Sequence, residues 1–189
     1  MAGRTVLFDA SVLYAAPVRD LLLELALSDL FRAKWTEQIN DEWISHLLAN
    51  RPDLTAAQLA RTRALMQAHV RDCLVEDYEA LIDTLTLPDP DDRHVLAAAI
   101  KGHAEVIVTF NLTDFPAVTL AQYGIEAQHP DKFLEALLEI DQAEVDAAAR
   151  RVRARLRQPP LEVVAYLAVL ERCGLSATAT SLRAMHTLL

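Results

Sequence analysis

Two short stretches, Arg4-Thr5-Val6-Leu7-Phe8 and Val106-Ile107-Val108-Thr109, are apolar at consecutive positions, with no polar residue at every second place. Neighbours along a strand point to opposite sides, so a run of this kind needs cover on both faces. The segments between them carry helical patterns. Val12-Leu13-Tyr14 leads into a leucine-rich helix expected over 18–30, and Ile39, Trp43 and Leu47 form a stripe within 36–48 that Asn50-Arg51-Pro52 ends. Thr55 and Gln58 make a capping box opening a helix to about residue 69, and 78–85 suggests another short one. Asp89-Pro90 starts a helix that Gly102 stops, and Ile125-Glu126-Ala127 reads as a last strand before a helix opened by Pro130. Strands alternating with helices predict an α/β fold with a parallel sheet, whose ligands gather at the C-terminal ends of the strands.

From about residue 140 the strand pattern stops. Val145, Ala149, Val152 and Leu156 form one helical stripe, Pro159-Pro160 breaks it, and Val163, Leu167 and Leu170 form another that Cys173-Gly174 ends. The chain therefore divides into a body, 1–139, and a small helical appendage, 140–189, with the joint within 138–143.

At 52% hydrophobic residues, with only 4 Gly and 8 Pro, the chain is neither disordered nor fibrous. No apolar run approaches the ~18 residues of a membrane span, and Met1-Ala2-Gly3-Arg4 enters a strand pattern without a signal-peptide core, so a soluble, cytoplasmic protein is expected. Cys73 and Cys173 suit neither a disulfide framework nor a zinc site and read as reduced core residues.

A net charge of −9 argues against bulk attraction to nucleic acid, but its distribution is uneven. The body carries 11 basic against 22 acidic side chains, and the appendage 7 against 5. An acidic protein still acts on phosphodiesters if clustered carboxylates bind divalent cations that invert the local field. Candidates for such a cluster are Asp9 after the first strand, Glu42 on an early helix, Asp92 in the first turn of a later helix, and Asn111 and Asp114 in the loop after Val106-Ile107-Val108-Thr109. Hard oxygen ligands of this kind suit Mg²⁺ or Mn²⁺.

These residues carry a resemblance. Phe8-Asp9-Ala10-Ser11, Asn40-Asp41-Glu42-Trp43, the run Asp89-Pro90-Asp91-Asp92-Arg93-His94-Val95-Leu96-Ala97-Ala98-Ala99, and Thr109-Phe110-Asn111-Leu112-Thr113-Asp114-Phe115-Pro116 resemble, in order and spacing over roughly 4–138, the four acidic motifs of PIN-domain ribonucleases. VapC-type toxins of bacterial toxin–antitoxin systems are members. The resemblance implies a three-layer domain with a central parallel sheet flanked by helices, and Mg²⁺-dependent cleavage of RNA by an activated water, with Mn²⁺ as a substitute. It also implies catalytic roles for Asp9, Glu42, Asp92 and Asp114, which with Asn111 would be the metal ligands, and an antitoxin partner. A second copy of the chain is a further expected partner, and a membrane is not. Many such nucleases have Asp where this chain has Asn111, which shifts the fourth carboxylate to Asp114.

Each residue has a plainer reading beside this one. Asp89 is first a helix cap, Asp91 a charge favourable to the helix dipole, and Glu42 a solvated helix residue with Asp41 as its natural control. Ser11 either bonds the Asp9 carboxylate or caps a helix, and Thr109 either orients a ligand or continues its strand. The six histidines lack zinc-ligand spacing and read as ordinary surface or core residues. Arg150, Arg151, Arg153, Arg155 and Arg157 are either the wet face of a helix or a backbone-binding stripe for RNA, with Arg93 as a further contact. Two other functions compete: a non-catalytic interaction module of the same fold, and a phosphohydrolase with Asp9 as nucleophile, for which Ser11 stands where a second acid is expected and Lys101 is the nearest lysine.

Overall fold

The structure is a computed structural model that describes residues 3–157 and 160–186. β1 (Arg4–Phe8) is followed by α1 (Ala10–Tyr14), α2 (Ala16–Ala26), β2 (Phe31–Lys34), α3 (Glu37–Asn50), α4 (Ala56–His69) and α5 (Glu79–Ile82). Then come α6 (Arg93–Lys101), β3 (Val106–Val108), α7 (Ala117–Leu120), β4 (Glu126–Gln128) and the run α8 (Pro130–Ile140), α9 (Gln142–Arg155), α10 (Val163–Arg172) and α11 (Ser176–His186). The strands form one parallel sheet in the order β2-β1-β3-β4.

Val6, Leu7 and Phe8 are buried without interruption, as are Val106, Ile107 and Val108. Since alternate residues face opposite sides, both faces of the sheet are covered and the domain has three layers. The register sets Val6 against Val106 and Phe8 against Val108, so the two interior strands end level. The Asp9 N–H then donates to the Val108 carbonyl (3.1 Å), which brings Asp9 and Thr109 side by side at the C-terminal edge.

The second strand is a correction. The leucine-rich helix expected to residue 30 stops at Ala26, and the chain reverses through Asp29, whose φ of +59° is left-handed. Phe31 to Lys34 then forms an edge strand in which Phe31 and Ala33 are buried and Arg32 is exposed, too short an alternation to stand out. The last strand sits one residue later than expected, because the Ile125 N–H closes the preceding turn on the Leu120 carbonyl (3.2 Å). Gly102 ends α6 where a Cβ would stand 2.8 Å from Val75 Cγ2, so the close approach, not the turn alone, requires glycine. The Thr55–Gln58 capping box forms as read, and Asp89 caps the turn before α6 by accepting from the Asp91 N–H (2.9 Å).

The C-terminal helices do not hang free. α9 packs on α2 and α8, and α11 packs on α8 and α10. Glu24, a buried carboxylate of α2, receives Arg151 Nε on Oε1 (2.5 Å), and Arg155 Nη2 lies 2.6 Å from Oε2, a close ionic contact not aligned as a hydrogen bond. Arg151 also reaches Glu144 (2.5 Å), Arg150 pairs with Asp146 (2.6 Å), and Arg153 donates to the Leu161 carbonyl (2.9 Å). Asp131 on α8 caps α11, accepting from the N–H groups of Ala177 and Thr178 (2.9 Å each) and from the Thr178 hydroxyl (2.6 Å). Asp141 is where α8 passes into α9. Of the expected Pro159-Pro160 break, Pro159 lies outside the described residues.

Candidate active site

Asp9 is the residue at which β1 gives way to α1, and it is 95% shielded from solvent. An acid so placed needs donors, and three are supplied. Oδ1 accepts from the Ala10 N–H (2.7 Å), and Oδ2 from the hydroxyls of Ser11 (2.6 Å) and Thr109 (2.7 Å). Each hydroxyl is itself fixed: Ser11 Oγ accepts from the Phe110 N–H (3.2 Å) and Thr109 Oγ1 from the Asn111 N–H (2.9 Å). Asp9 and the loop carrying Asn111 and Asp114 are thus joined through two side-chain oxygens. Ser11 thus takes the option of bonding the Asp9 carboxylate, while Thr109 continues its strand through its N–H on the Gln128 carbonyl (3.0 Å) and gives its hydroxyl to Asp9.

Asp92 ends the 3₁₀ turn Pro90–Asp92 at the start of α6. Its carboxyl is pushed up to about 6, first by burial and then by the negative charges of Asp9, Asp114 and Asp89, with His94 working the other way. Four acids from three segments therefore share one field at the edge of the sheet. Asp114, in the turn Leu112–Asp114, is half-buried, while Asn111 is exposed.

Glu42 enters differently. It projects from α3 to His94 on α6, whose Nε2 lies 2.8 Å from Glu42 Oε1, and it is not among the charges that raise Asp92. His94 is buried, so reading it as an ordinary residue missed a site neighbour. The available signal was its place two residues after Asp92, at the head of the unbroken buried run His94 to Ala99 of α6, where an imidazole needs a polar partner. Asp41, the intended control, turns outward and pairs with Arg63 (2.8 Å). Arg93 folds back to donate to the Pro90 carbonyl (2.9 Å).

The donor set is one of hard oxygens, in which burial and then mutual repulsion raise Asp92, and a divalent cation would relieve that repulsion. The acids fit such an ion in chemistry. Their present spacing is looser than a finished cage: among the described residues no three His, Cys, Asp or Glu side chains stand within ligating reach of one point.

A family model described as the PIN domain matches residues 5–113, more than half of the chain and the whole of this edge up to the fourth motif. The chain belongs to the PIN-domain family. Beyond the PIN domain, a model described as the VapC50 C-terminal domain matches residues 130–184, which takes in α8 as well as the helices after it. A protein of Mycobacterium tuberculosis (strain ATCC 25618 / H37Rv) named "Putative ribonuclease VapC50" is 63% identical over 43 residues. That stretch is 23% of this chain and 25% of the relative, so the chain spans about a quarter of the protein it matches. No solved structure matches.

The appendage reaches the loop of the site. Gly174, left-handed at φ +87°, lets the chain pass so close to Phe110 that a Cβ there would stand 3.0 Å from Phe110 Cε1. The same ring meets His129 edge to face, with centroids 4.9 Å apart. Phe110 therefore separates Thr109 from Asn111 in sequence and ties both to the C-terminal helices in space.

Proposed function

We propose that this PIN domain is a metal-dependent endoribonuclease, the toxin of a type II toxin–antitoxin pair, acting in the cytoplasm. The observation that carries the reading is the set of acids around Asp92, whose own carboxyl is pushed up to about 6 by burial and then by their charge. Asp9, Glu42, Asp92 and Asp114, with Asn111, would hold Mg²⁺ or Mn²⁺. When bound, such an ion activates a water for attack on phosphorus and steadies the charge on the leaving oxygen.

The protein's own residues prepare that site. Ser11 and Thr109 fix the Asp9 carboxylate in one orientation, and the same hydroxyls hold the backbone at Phe110 and Asn111, so the loop cannot shift without disturbing Asp9. Asp92 and Asp114 supply the charge that attracts a cation, and a partially buried setting strengthens it. RNA is the substrate and an antitoxin protein the inhibitor in this reading, with a second copy of the chain as a further partner. The free thiols Cys73 and Cys173 suit a reducing compartment, and among the described residues no helix is long and apolar enough to cross a membrane. Residues 1–139 and 140–189 serve as the working division between nuclease body and appendage.

The phosphohydrolase reading is disfavoured by geometry. Lys101 ends α6 while Asp92 precedes it, so the lysine stands roughly 13 Å along the helix from the acids. The two hydroxyls on Asp9 Oδ2 also quench it as a nucleophile. Calorimetric titration of the chain with Mn²⁺, followed by cleavage of a mixed RNA pool with and without EDTA, tests the proposal. Metal binding and EDTA-sensitive cleavage are expected, and both should vanish in Asp9→Asn. Cleavage that survives both EDTA and the Asp9 change would sink it; a chain that binds no metal and cleaves nothing would be an interaction module.

A further inference from the structure

His94 is buried on α6, with its side chain 4% exposed. Nε2 lies 2.8 Å from Glu42 Oε1, and Nδ1 has no hydrogen-bond partner among the described residues. An ionised carboxylate only accepts, so the ring nitrogen beside it is the one that carries a hydrogen toward it. Here that nitrogen is Nε2, in close ionic contact with Glu42. Glu42 is itself one-third exposed, and its other contact is a long one, from Gln38 Nε2 to the same Oε1 (3.5 Å). Both contacts thus fall on one oxygen, and no hydrogen bond reaches Oε2 among the described residues.

We infer that His94 is the positioning residue of Glu42: its Nε2–H anchors Oε1 so that Oε2 is presented to a divalent cation at the Asp9–Asp92 edge. The inference rests on the proposed metal-dependent function and assigns to a residue of the apolar α6 face a part in building its site. The geometry favours this use. Glu42 sits on a different layer element from the other acids, so three rotatable bonds separate its carboxylate from α3, and ordering them costs entropy that a fixed donor offsets. His94 is rigidly seated because its own helix packs on β1 and β3, the two strands that carry Asp9 and Thr109. The pair therefore ties α3 to the frame that holds the remaining ligands. Partners that orient a ligating carboxylate typically govern metal affinity even though they never touch the ion.

Two replacements separate the donor from the packing. His94→Gln keeps an N–H at about the reach of Nε2, and His94→Leu keeps bulk without a donor. Mn²⁺ affinity is read by calorimetry, and folding by the thermal midpoint without metal. His94→Leu should weaken Mn²⁺ binding at least about tenfold while His94→Gln stays within about threefold of wild type, in line with the usual 10–100-fold effect of orienting partners. On a Glu42→Ala background, the His94→Leu change should add no further loss of affinity, since its effect passes through Glu42. Wild-type affinity in His94→Leu, equal losses in the Leu and Gln variants, or an undiminished Leu effect on the Glu42→Ala background would overturn the inference and leave the nuclease reading standing. A wild-type chain without Mn²⁺ affinity would overturn both.

Discussion

The molecule contains two concentrations of like charge, and it treats them in opposite ways. At the edge of the sheet Asp9, Asp89 and Asp114 act on Asp92, whose carboxyl is raised by burial and then by their charge, and among the described residues no lysine or arginine forms an ion pair with any of the four. On α9 the arginines are as dense in sequence, yet Arg151 and Arg155 close on the buried Glu24, Arg150 on Asp146, and Arg153 on a carbonyl. A charge cluster balanced from within holds the fold together; one left unbalanced is what a bound cation would offset. The contrast supports the proposed role of the acids and favours the arginines as a seam between α9 and α2.

The largest effect that tests this contrast is on cleavage. Asp9→Asn, Glu42→Gln and Asp92→Asn should each lower Mg²⁺-dependent RNA cleavage by at least about a hundredfold with an unchanged circular dichroism spectrum, a loss typical of removing one electrostatic contact from a reacting site. Asp41→Asn, which breaks only an exposed pair with Arg63, serves as the reference and should change little. Equal losses at Asp41 and Glu42 would dissolve the distinction between them.

Next in size is the seam. Changing Arg151 and Arg155 together to Gln leaves the Glu24 carboxylate buried without its partners. Breaking a fully buried pair costs 3–5 kcal/mol, and the partial exposure of both guanidinium groups reduces the expected loss here to about 2 kcal/mol in urea unfolding. Mn²⁺ affinity should not move. If stability holds instead, and the salt dependence of RNA binding flattens on changing Arg151, Arg153 and Arg155, the arginines belong to an RNA-backbone surface and the contrast fails on that side.

A smaller difference lies within the acidic edge. Asp114→Asn should weaken Mn²⁺ binding several-fold, because Asp114 is among the charges that reach Asp92, whereas Asn111→Ala, exposed and uncharged, should weaken it less. Calorimetry giving the reverse order would move the fourth ligand to Asn111.

The smallest effect is on stability. A carboxyl raised in the folded chain holds its proton more tightly there than in the unfolded chain, so its ionised form costs stability. That cost is absent below the ordinary value of 3.8, grows as pH rises through about 6, and is complete above it. Asp92→Asn should therefore raise the metal-free melting temperature by roughly a few degrees at pH 8 and leave it unchanged near pH 4. A variant that melts lower than wild type at pH 8 would show that Asp92 is not strained by its neighbours.

What could be read in the sequence follows from how local each feature is. Strands β1 and β3 announce themselves because burial on both faces forces consecutive apolar residues, and the caps at Asp89 and Thr55 are fixed by the side chain within three positions of the backbone they serve. β2 stays hidden because an edge strand needs apolar residues at only alternate places, and Phe31 and Ala33 are too few to show a period. The places of Asp9, Asp92 and Asp114 at element ends are legible in the same way as the caps. The partners of the site were not: Ser11 and Thr109 meet only through the register of β1 on β3, and Glu42 and His94 lie on helices 52 positions apart whose packing no local pattern states. The pairing of the arginine run was hidden in the same way, since its counter-charge Glu24 lies far upstream.

Asp131 has a consequence of its own. This one carboxylate on α8 receives three donors from the start of α11, so the last helix begins on a side chain of the segment before the appendage. With Glu24 gripping α9 and Gly174 seated on Phe110, the C-terminal helices are stitched to the body at three separated points. Parts bound together in this way lose their order together. Heating should show one sharp cooperative transition across the chain, and a chain cut short after residue 139 would melt earlier with a loosened Asn111–Asp114 loop, because the two halves are a single thermodynamic unit.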